Sequence, residues 1–370
     1  MLAVAWHCIL FPGLAAAFAL LSRGRWLPPA RCSHPGDLMG RGTYEHNYLQ
    51  LRLPELELAA TDRAPVAISL PPALAGFGPI NADLYCSDNL SLLELQAAAW
   101  SGRFQLLYLD PPFGSGKVYA ARVEGGHDRP ARSVRAYRDD QDYDTYLDWL
   151  FCRLAYSRDL LHESGTLYVH LDWHVVHYAK VALDRIFGRD RFLNEIIWCY
   201  HGPSPIRSAF KRKHDTILVY TRSKDYYFDA EAVRVPYDES TVRTFASSSK
   251  AGFGKVPDLA RGKVPEDWWY FPVVARIHSE RVGYETQKPV ALLERIIKAS
   301  SRPGDLVGDY FAGSGTAGVA AARLGRNALL VDRNPVAIEK TVLRLAQLDP
   351  QPSVRLWRFL TDERSAADES

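Results

Sequence analysis

Short apolar runs alternate along this chain with longer segments in which apolar residues recur every three or four positions. Such runs, ending beside a proline, a glycine or a charged residue, are typical of buried strands, and the longer segments have the periodicity of amphipathic helices. The runs predict strands at residues 104–110, 165–171, 195–200, 215–221, 305–311 and 327–332. The periodic segments predict helices at residues 142–161, 174–188, 289–300 and 317–325.

Strands that alternate with helices predict an α/β fold, with a doubly wound, mostly parallel sheet and helices on both of its faces. Residues 222–285 break the alternation and are rich in serine, glycine and proline, which predicts an insertion between two halves of one sheet, 81–221 and 286–350. We expect residues 1–80 to form a poorly organised N-terminal extension and residues 351–370 to form a C-terminal tail.

The composition is that of an ordinary globular protein, and the cysteine content argues against two kinds of structural site. Of the 370 residues, 47% are hydrophobic and 24% are charged, and the net charge is +2, so any basic surface must be local. The cysteines are scattered and form no C-x-x-C pair, which argues against a disulfide framework and a zinc site and favours a cytoplasmic protein without a metal. They are Cys8, Cys32, Cys86, Cys152 and Cys199.

The N-terminal segment allows two interpretations. Residues 1–21 contain no Lys, Arg, Asp or Glu and are long enough to span a membrane, and the arginines that follow would leave the rest of the chain on the cytoplasmic side. Pro12 and Gly13 interrupt this run. The interpretation that we favour is a translation start assigned too early, with Met39 as the true start, so we do not expect a membrane anchor.

A glycine-rich turn lies between a predicted strand and a predicted helix near the end of the chain. Residues 313–318 read G-S-G-T-A-G, and Asp332 ends the next strand nineteen residues after Gly313. In this arrangement the glycines allow a ligand to approach the backbone and the carboxylate holds the ribose hydroxyls of an adenosine. Both NAD and S-adenosylmethionine carry an adenosine, so the turn alone leaves a dehydrogenase and a methyltransferase open.

The position of this turn separates the two cofactors. Only 38 residues follow Asp332, too few for the remaining strands of a dinucleotide-binding domain. The sheet must therefore be completed by strands that come earlier in the sequence. This permuted order disfavours an NAD enzyme.

A second motif, LYLDPPF at residues 107–113, ends the strand at 104–110 with Asp-Pro-Pro-Phe. With this motif the chain resembles the beta-class DNA amino-methyltransferases, which modify N6 of adenine or N4 of cytosine. The resemblance is closest to the modification subunits of type III restriction systems and their solitary relatives, and it extends over residues 83–345. The stretches that carry it are YCSDNLSLLELQ, LYLDPPFGSGK, GTLYVHLDWHVVHYAKVALDRIFG, NEIIWCY, KHDTILVYTRS, ETQKPVALLERIIKASSRPGDLVGDYFAGSGTAG and NALLVDRNP.

The resemblance implies a catalytic role for residues 110–113. An exocyclic amine is a poor nucleophile because its lone pair is delocalised into the ring, so it needs acceptors for its two N–H groups. Asp110 would supply a carboxylate and Pro111 a carbonyl, and two successive prolines, Pro111 and Pro112, would fix the backbone. Phe113 would stack on the base, which has to leave the duplex first.

The resemblance also implies S-adenosylmethionine as the cofactor and assigns residues to it. Asp309, Phe311, Gly313 and Gly315 match the family's D-P-F-x-G-S-G-T turn, with Tyr310 in place of the usual proline. Asp332 would hold the ribose, Asp88 would lie near the adenine, and Lys288 of the T-Q-K-P motif would pair with the cofactor carboxylate. A helix-capping role for Asp88 and a solvated position for Lys288 stay open. The residues that the resemblance assigns to the cofactor are therefore Asp88, Lys288, Asp309, Phe311, Gly313, Gly315 and Asp332.

The resemblance further implies double-stranded DNA as a partner, with residues 81–221 as the catalytic half, 222–285 as the target-recognition insertion and 286–350 as the cofactor half. Residues 201–263 contain twelve Lys or Arg against seven Asp or Glu, which suits phosphate contacts, although a solvated loop surface is the alternative. A restriction subunit or a second copy of the chain are further partners that the family implies. Adenine-N6 methylation is the expected reaction, with cytosine-N4 methylation or a catalytically idle DNA-binding subunit as alternatives.

Overall fold

A computed structural model describes residues 66–70, 75–76, 78–113, 118–123, 132–138, 143–247, 258–274, 279–284 and 286–358. The expectations for residues 1–38, both the membrane anchor and the early translation start, lie outside these residues. Within this part of the chain, no helix combines the length and the apolar character that a membrane span requires.

One large sheet organises the described chain, and a small antiparallel hairpin stands apart from it. The strand order in the sheet is β1-β12-β2-β11-β10-β3-β6-β8-β7-β9. Its strands are β1 (Val66–Ile68), β2 (Asn81–Cys86), β3 (Phe104–Leu109), β6 (Leu161–Leu171), β7 (Phe192–Cys199), β8 (His214–Thr221), β9 (Trp268–Tyr270), β10 (Leu306–Asp309), β11 (Asn327–Asp332) and β12 (Ser353–Arg358), and the hairpin contains β4 (Val118–Val123) and β5 (Arg132–Arg138).

The centre of the sheet is parallel, as expected from the alternation of strands and helices. Neighbouring strands from β12 through β2, β11, β10 and β3 to β6 all pair in parallel. Strand β8 is antiparallel to both β6 and β7, so β6 and β7 run in the same direction. The permuted order is also confirmed, because β10 and β11, late in the sequence, lie between the early strands β2 and β3.

Helices cover both faces of the sheet, which confirms the doubly wound architecture. Along β3, Leu106 and Tyr108 belong to one buried cluster, and Leu107 and Leu109 belong to the other, because successive side chains point to opposite faces. The first cluster packs against α5, α6 and α7, and the second against α1, α2 and α3. The helices are α1 (Asn89–Trp100), α2 (Tyr143–Leu160), α3 (Val176–Phe187), α4 (Glu239–Ser247), α5 (Val290–Ser300), α6 (Thr316–Arg323) and α7 (Pro335–Ala346).

Four strands of the sheet lie where the sequence predicted none: β1 within the expected N-terminal extension, β2 directly after it, and β9 and β12. Strand β9 comes from the predicted insertion and pairs in parallel with β7. Strand β12 comes from the predicted C-terminal tail and lies between β1 and β2. Its Arg355 guanidinium binds both carboxylate oxygens of Asp83 on β2 at 2.6 Å. The boundary drawn at residue 350 therefore falls before a strand of the sheet; the domain division itself stays a prediction.

Helix α6 begins at a glycine that packing requires. Gly315 is the N-cap residue and has a φ of +74°, a left-handed conformation that is unfavourable for residues with a Cβ. A Cβ at this position would overlap the side chain of Thr341 on α7. The glycine thus allows both the turn into α6 and the close packing of α6 and α7.

We predict that Gly315→Ala destabilises the fold more than Gly102→Ala does. Gly102 has a similar φ of +69°, but no atom lies within 4 Å of the point that its Cβ would occupy, so its substitution isolates the backbone cost of about 1–2 kcal/mol. Overlap with Thr341 should add roughly 1–3 kcal/mol at Gly315. Chemical denaturation of both variants measures the difference, and equal losses in the free energy of unfolding would contradict the packing role.

Candidate active site

A pocket opens at the edge where the parallel strands β2, β3, β10 and β11 end. Asp88, Asp110, Asp309 and Asp332 lie at or just after the carboxyl ends of these strands, and all four line the pocket. Ligands of open α/β sheets bind at this edge because successive loops diverge there. Every residue that the sequence analysis assigned to catalysis or to the cofactor lines this pocket, except Gly315.

Gly315 does not line the pocket, so its contact with the cofactor stays a prediction. Its added Cβ would point towards Thr341 on α7, so the glycine serves helix packing. Gly313, in contrast, lines the pocket and has a φ of +51°. The two glycines of one motif thus meet different requirements, which their spacing alone does not distinguish.

The carboxylate of Asp110 forms an ion pair with Lys288. The distance from Lys288 Nζ to Asp110 Oδ2 is 2.5 Å, and only 11% of the lysine side chain and 17% of the aspartate side chain are exposed. The same ammonium lies 5.4 Å from the centre of the Phe113 ring. Lys288, which the resemblance assigns to the cofactor carboxylate, contacts Asp110 of the Asp-Pro-Pro-Phe motif, and its contact with the cofactor stays a prediction.

The turn at residues 110–113 is held in place by α2. The hydroxyl of Tyr146, a buried residue of α2, donates a hydrogen bond to the carbonyl oxygen of Pro112. Two prolines already restrict the backbone here. The Tyr146 contact orients the next peptide group as well, so the position of Phe113 is determined by both the local sequence and a distant helix.

A buried polar network lies behind Phe113. Tyr108 lines the pocket, and its hydroxyl is 2.7 Å from Nδ1 of His170. Nε2 of His170 is 3.3 Å from Oδ2 of Asp215. Oδ1 of Asp215 accepts a hydrogen bond of 3.0 Å from the hydroxyl of Tyr200. The His170 ring is fully buried, and its centre lies 6.2 Å from that of Phe113.

Burial and hydrogen bonding set the protonation of this network. Burial, reinforced by nearby carboxylates, raises the pKa of Tyr108 well above its ordinary value, so its hydroxyl stays protonated and can donate to His170. Burial by itself would raise the pKa of Asp215, but the hydrogen bond from His170 and the positive charge of Lys288 lower it. The network therefore contains one negative charge, on Asp215, which interacts with the ammonium of Lys288.

The carboxylate of Asp332 is bound by two backbone N–H groups. Gly313 donates to Oδ2 and Asn334 donates to Oδ1, both at 2.8 Å. Burial nevertheless outweighs these bonds and raises the pKa of Asp332 to about 6. The hydrogen bonds orient the carboxylate within the pocket and leave lone pairs that can accept from a ligand.

Asp309 is a buried residue whose carboxyl group binds the backbone at the start of the glycine turn. It is 3% exposed and accepts a hydrogen bond of 2.9 Å from the backbone N–H of Phe311. Burial raises its pKa well above the ordinary value, and the neighbouring carboxylates of Asp110 and Asp332 act in the same direction. Its position explains how an aspartate at a strand end shapes the turn that follows.

Asp88 has the helix-capping role that the sequence left open. Its Oδ1 accepts hydrogen bonds of 3.1 Å from the backbone N–H groups of Leu90 and Ser91 at the start of α1. Its Oδ2 lies 3.3 Å from the guanidinium of Arg153. Because Asp88 also lines the pocket, capping does not exclude a contact with a ligand, and that contact stays a prediction.

Trp149 is a pocket residue that the sequence analysis missed. Its ring lies 5.7 Å from that of Phe311 and 5.8 Å from that of Tyr146, and the Arg153 guanidinium lies 4.0 Å from it. Trp149 and Phe311 thus form an aromatic wall of the pocket. The one available signal was a tryptophan beside the apolar stripe of α2.

Comparison with known proteins agrees with this architecture. A family model described as DNA methylase, of the N6 and N4 type, matches residues 104–343. The match includes both the Asp-Pro-Pro-Phe turn and the glycine turn and covers more than half of the chain. The chain belongs to this DNA methylase family.

Individual relatives are more distant. The chain is 28% identical over 242 residues to the DNA adenine methyltransferase YhdJ of Escherichia coli, covering 65% of this chain and 75% of that protein. It is 29% identical over 263 residues to the type II methyltransferase M.HpaI of Haemophilus parainfluenzae, covering 71% and 73%. Among solved structures, the TTHA0409 modification methylase of Thermus thermophilus complexed with S-adenosyl-L-methionine is 22% identical with a TM-score of 0.48, covering 76% and 99%.

We predict that Asp332 makes the stability of the fold depend on pH. A carboxyl whose pKa is about 6 in the folded chain and near its ordinary value of 3.8 in the unfolded chain binds its proton more tightly when folded. Its contribution to the free energy of unfolding should therefore fall by about 2–3 kcal/mol as the pH rises from 4 to 7.

Denaturation of the wild type and of Asp332→Asn across this pH range tests the prediction. The amide does not titrate, so the variant should gain stability relative to the wild type as the pH rises. Asp225→Asn, at an exposed position, controls for the loss of one charge. A difference between wild type and Asp332→Asn that stays constant with pH would contradict the prediction.

Proposed function

We propose that the chain transfers the methyl group of S-adenosylmethionine to the N6 amine of adenine in DNA. One observation carries the proposal: the turn at residues 110–113 and the glycine turn at Gly313 line the same pocket. Methyl transfer needs the acceptor amine, the methyl carbon and the sulfur in line and in contact, and much of the rate comes from this positioning. A pocket that combines an amine-binding turn with an adenosine-binding turn supports such a reaction.

The residues near Gly313 fit an adenosine with a positively charged substituent. The Asp332 carboxylate, oriented by two backbone N–H groups, would accept hydrogen bonds from the ribose hydroxyls. The wall formed by Trp149 and Phe311 offers flat apolar surface to the adenine. S-adenosylmethionine supplies a methyl group bound to a positively charged sulfur, and Asp110 and Asp309 bring carboxyl groups to the same pocket.

Asp110 and Pro111 would prepare the acceptor amine. Hydrogen bonds from the two N–H groups of the amine to the Asp110 carboxylate and the Pro111 carbonyl withdraw the lone pair from the ring and direct it towards the methyl group. Because Lys288 contacts Oδ2 of Asp110, we place the amine on the Oδ1 side. Lys288 then compensates the charge of Asp110 and orients its carboxylate, in addition to any contact with the cofactor.

Phe113 would hold the target base after it leaves the helix. Stacking of a base on an aromatic ring contributes roughly 1–3 kcal/mol, and the target atom is inaccessible inside a duplex. The ring is fixed from behind by His170 and from the turn by Tyr146 and Pro112. We therefore propose that the base enters between Phe113 and the Asp110 carboxylate.

Two observations support adenine as the target. The residue before the two prolines is Asp110, at a position where the family also uses Ser, and the residue after them is Phe113. Within the family, this combination favours adenine. A curated relative, YhdJ, is by name a DNA adenine methyltransferase. Cytosine-N4 methylation is the alternative that the family leaves open, and the same pocket chemistry would serve either amine.

We also propose, from the resemblance, that a restriction subunit or a second copy of the chain can act as a partner. Size-exclusion chromatography with light scattering on the purified chain tests for the second copy. A mass of 41.6 kDa at micromolar concentration would contradict a stable homodimer.

The product assay tests the proposed function directly. Purified protein is incubated with unmethylated genomic DNA and S-adenosylmethionine labelled on the methyl group, and the DNA is digested to nucleosides for mass spectrometry. We expect label in N6-methyladenine. Label in N4-methylcytosine would replace the proposed base, and an unlabelled digest from protein that binds the cofactor would contradict the proposed reaction.

We predict that Asp110→Asn lowers methyl transfer by roughly 10²–10³-fold, the usual effect of losing one preorganised polar group at a reacting centre. Cofactor affinity should change by less than about threefold, because the Asp332 side of the pocket is unaltered. Rapid-quench kinetics and calorimetric titration give the two quantities.

Asp172→Asn is the matched control for this change. Asp172 follows the adjacent strand β6, accepts a hydrogen bond of 3.0 Å from the backbone of His174, and is not part of the pocket lining. We expect this variant to retain activity. Full activity in Asp110→Asn would remove the amine-binding role of the carboxylate.

A further inference from the structure

The loop between β7 and β8, residues 200–213, has an unusual combination of charge and exposure. It contains Arg207, Lys211, Arg212 and Lys213 and no Asp or Glu. Phe210 stands among these cations and is 100% exposed, whereas the next most exposed large apolar residue in the described chain, Trp268, is 61% exposed. Full burial of such a side chain typically contributes about 1.5–3 kcal/mol to the stability of a fold. Because Phe210 is fully exposed, it makes no such contribution here.

The base of this β7–β8 loop is fixed, and its tip projects into solvent. The backbone N–H of Tyr200 donates to the carbonyl of Lys213 at 3.0 Å, which continues the strand pairing into the loop. The Lys213 ammonium donates to the carbonyl of Pro203 at 2.8 Å. Residues 207–212 are all exposed. The loop therefore presents Phe210 on a braced support.

The β7–β8 loop lies at the same edge of the sheet as the pocket. Strand β7 runs in the direction of β6, and β6 is parallel to β3, so the chain leaves all three strands at the edge where Asp110 lies. A direct contact confirms the placement, because the Arg212 guanidinium lies 4.2 Å from the ring of Trp173, just after β6. From β6 itself, His170 reaches the ring of Phe113.

We propose that the β7–β8 loop opens the DNA duplex, with its cations on the phosphates and Phe210 inserted into the base stack beside the flipped nucleotide. Apolar side chains that enter a base stack replace part of the lost stacking, and a cationic loop without acidic residues is complementary to the phosphate backbone. This inference rests on DNA as the substrate of the proposed function, and it assigns the opening of the duplex to a segment outside the pocket.

The test compares Phe210→Ala with Phe210→Trp and Leu95→Ala. Leu95 on α1 is 42% exposed, so its substitution controls for the loss of an exposed apolar side chain. Methyl transfer is measured on duplexes that carry the sequence methylated in genomic DNA, with the target base either paired or opposite a mismatch. A mismatch lowers the cost of flipping, so it should replace the function of Phe210.

We expect Phe210→Ala to lose roughly tenfold to hundredfold in transfer on the paired duplex and to recover to within about threefold of the wild type on the mismatched duplex. Phe210→Trp and Leu95→Ala should behave as the wild type on both. Wild-type transfer by Phe210→Ala on the paired duplex would overturn the inference. A loss of equal size on both duplexes would overturn it as well, because the contact would then not act on base opening.

A second readout does not depend on methyl transfer. Relaxation of a plasmid by topoisomerase at saturating protein should show a reduced linking number with the wild type and with Leu95→Ala, but not with Phe210→Ala. Unwinding that depends on Phe210 in a chain that methylates no DNA would contradict the proposed function and support this inference. Equal unwinding by the wild type and Phe210→Ala would contradict the inference alone.

Discussion

The parallel pairing of β3 with β10 is the constraint on which the site depends. It joins segments that are about two hundred residues apart, with Val307 opposite Leu106 and Gly308 opposite Leu107. Gly308 has no side chain at a point where a Cβ would lie 2.5 Å from the ring of Phe104. The close approach of the two strands brings the ends that carry Asp110 and Asp309 to the same edge, and with them the two halves of the pocket.

Charge is the second organising feature of this pocket. Four carboxyl groups lie at the strand ends, and the structure limits the repulsion among three of them, Asp110, Asp309 and Asp332, in different ways. Asp110 has the ammonium of Lys288 as a partner, and the Asp332 carboxylate is bound by two backbone N–H groups. Burial raises the pKa of Asp309 well above its ordinary value and so favours its neutral form. A ligand that brings positive charge and hydrogen-bond donors would compensate the remaining negative charge, as expected of a methyl donor with a sulfonium group.

The pocket and the exposed edge have different mechanical requirements. The turn at residues 110–113 is held by prolines, by Tyr146 and by the His170 network. This rigidity suits the proposed reaction, since small displacements of reacting groups reduce rates strongly. The β7–β8 loop is fixed at its base and exposed at its tip, as a surface that meets a large partner must be. One sheet edge therefore carries both a rigidly held pocket and an exposed, positively charged loop.

The sequence by itself determined the α/β class, the permuted strand order, the family and ten of the 22 residues that line the pocket, because buried strands, glycine turns and the Asp-Pro-Pro-Phe motif are local patterns. The tertiary structure alone decided that Lys288 contacts Asp110, that Gly315 packs against Thr341, that Trp149 lines the pocket and that β12 joins the sheet. Each of these depends on how elements that are distant in the sequence pack, and periodicity within one element carries no information about its partner.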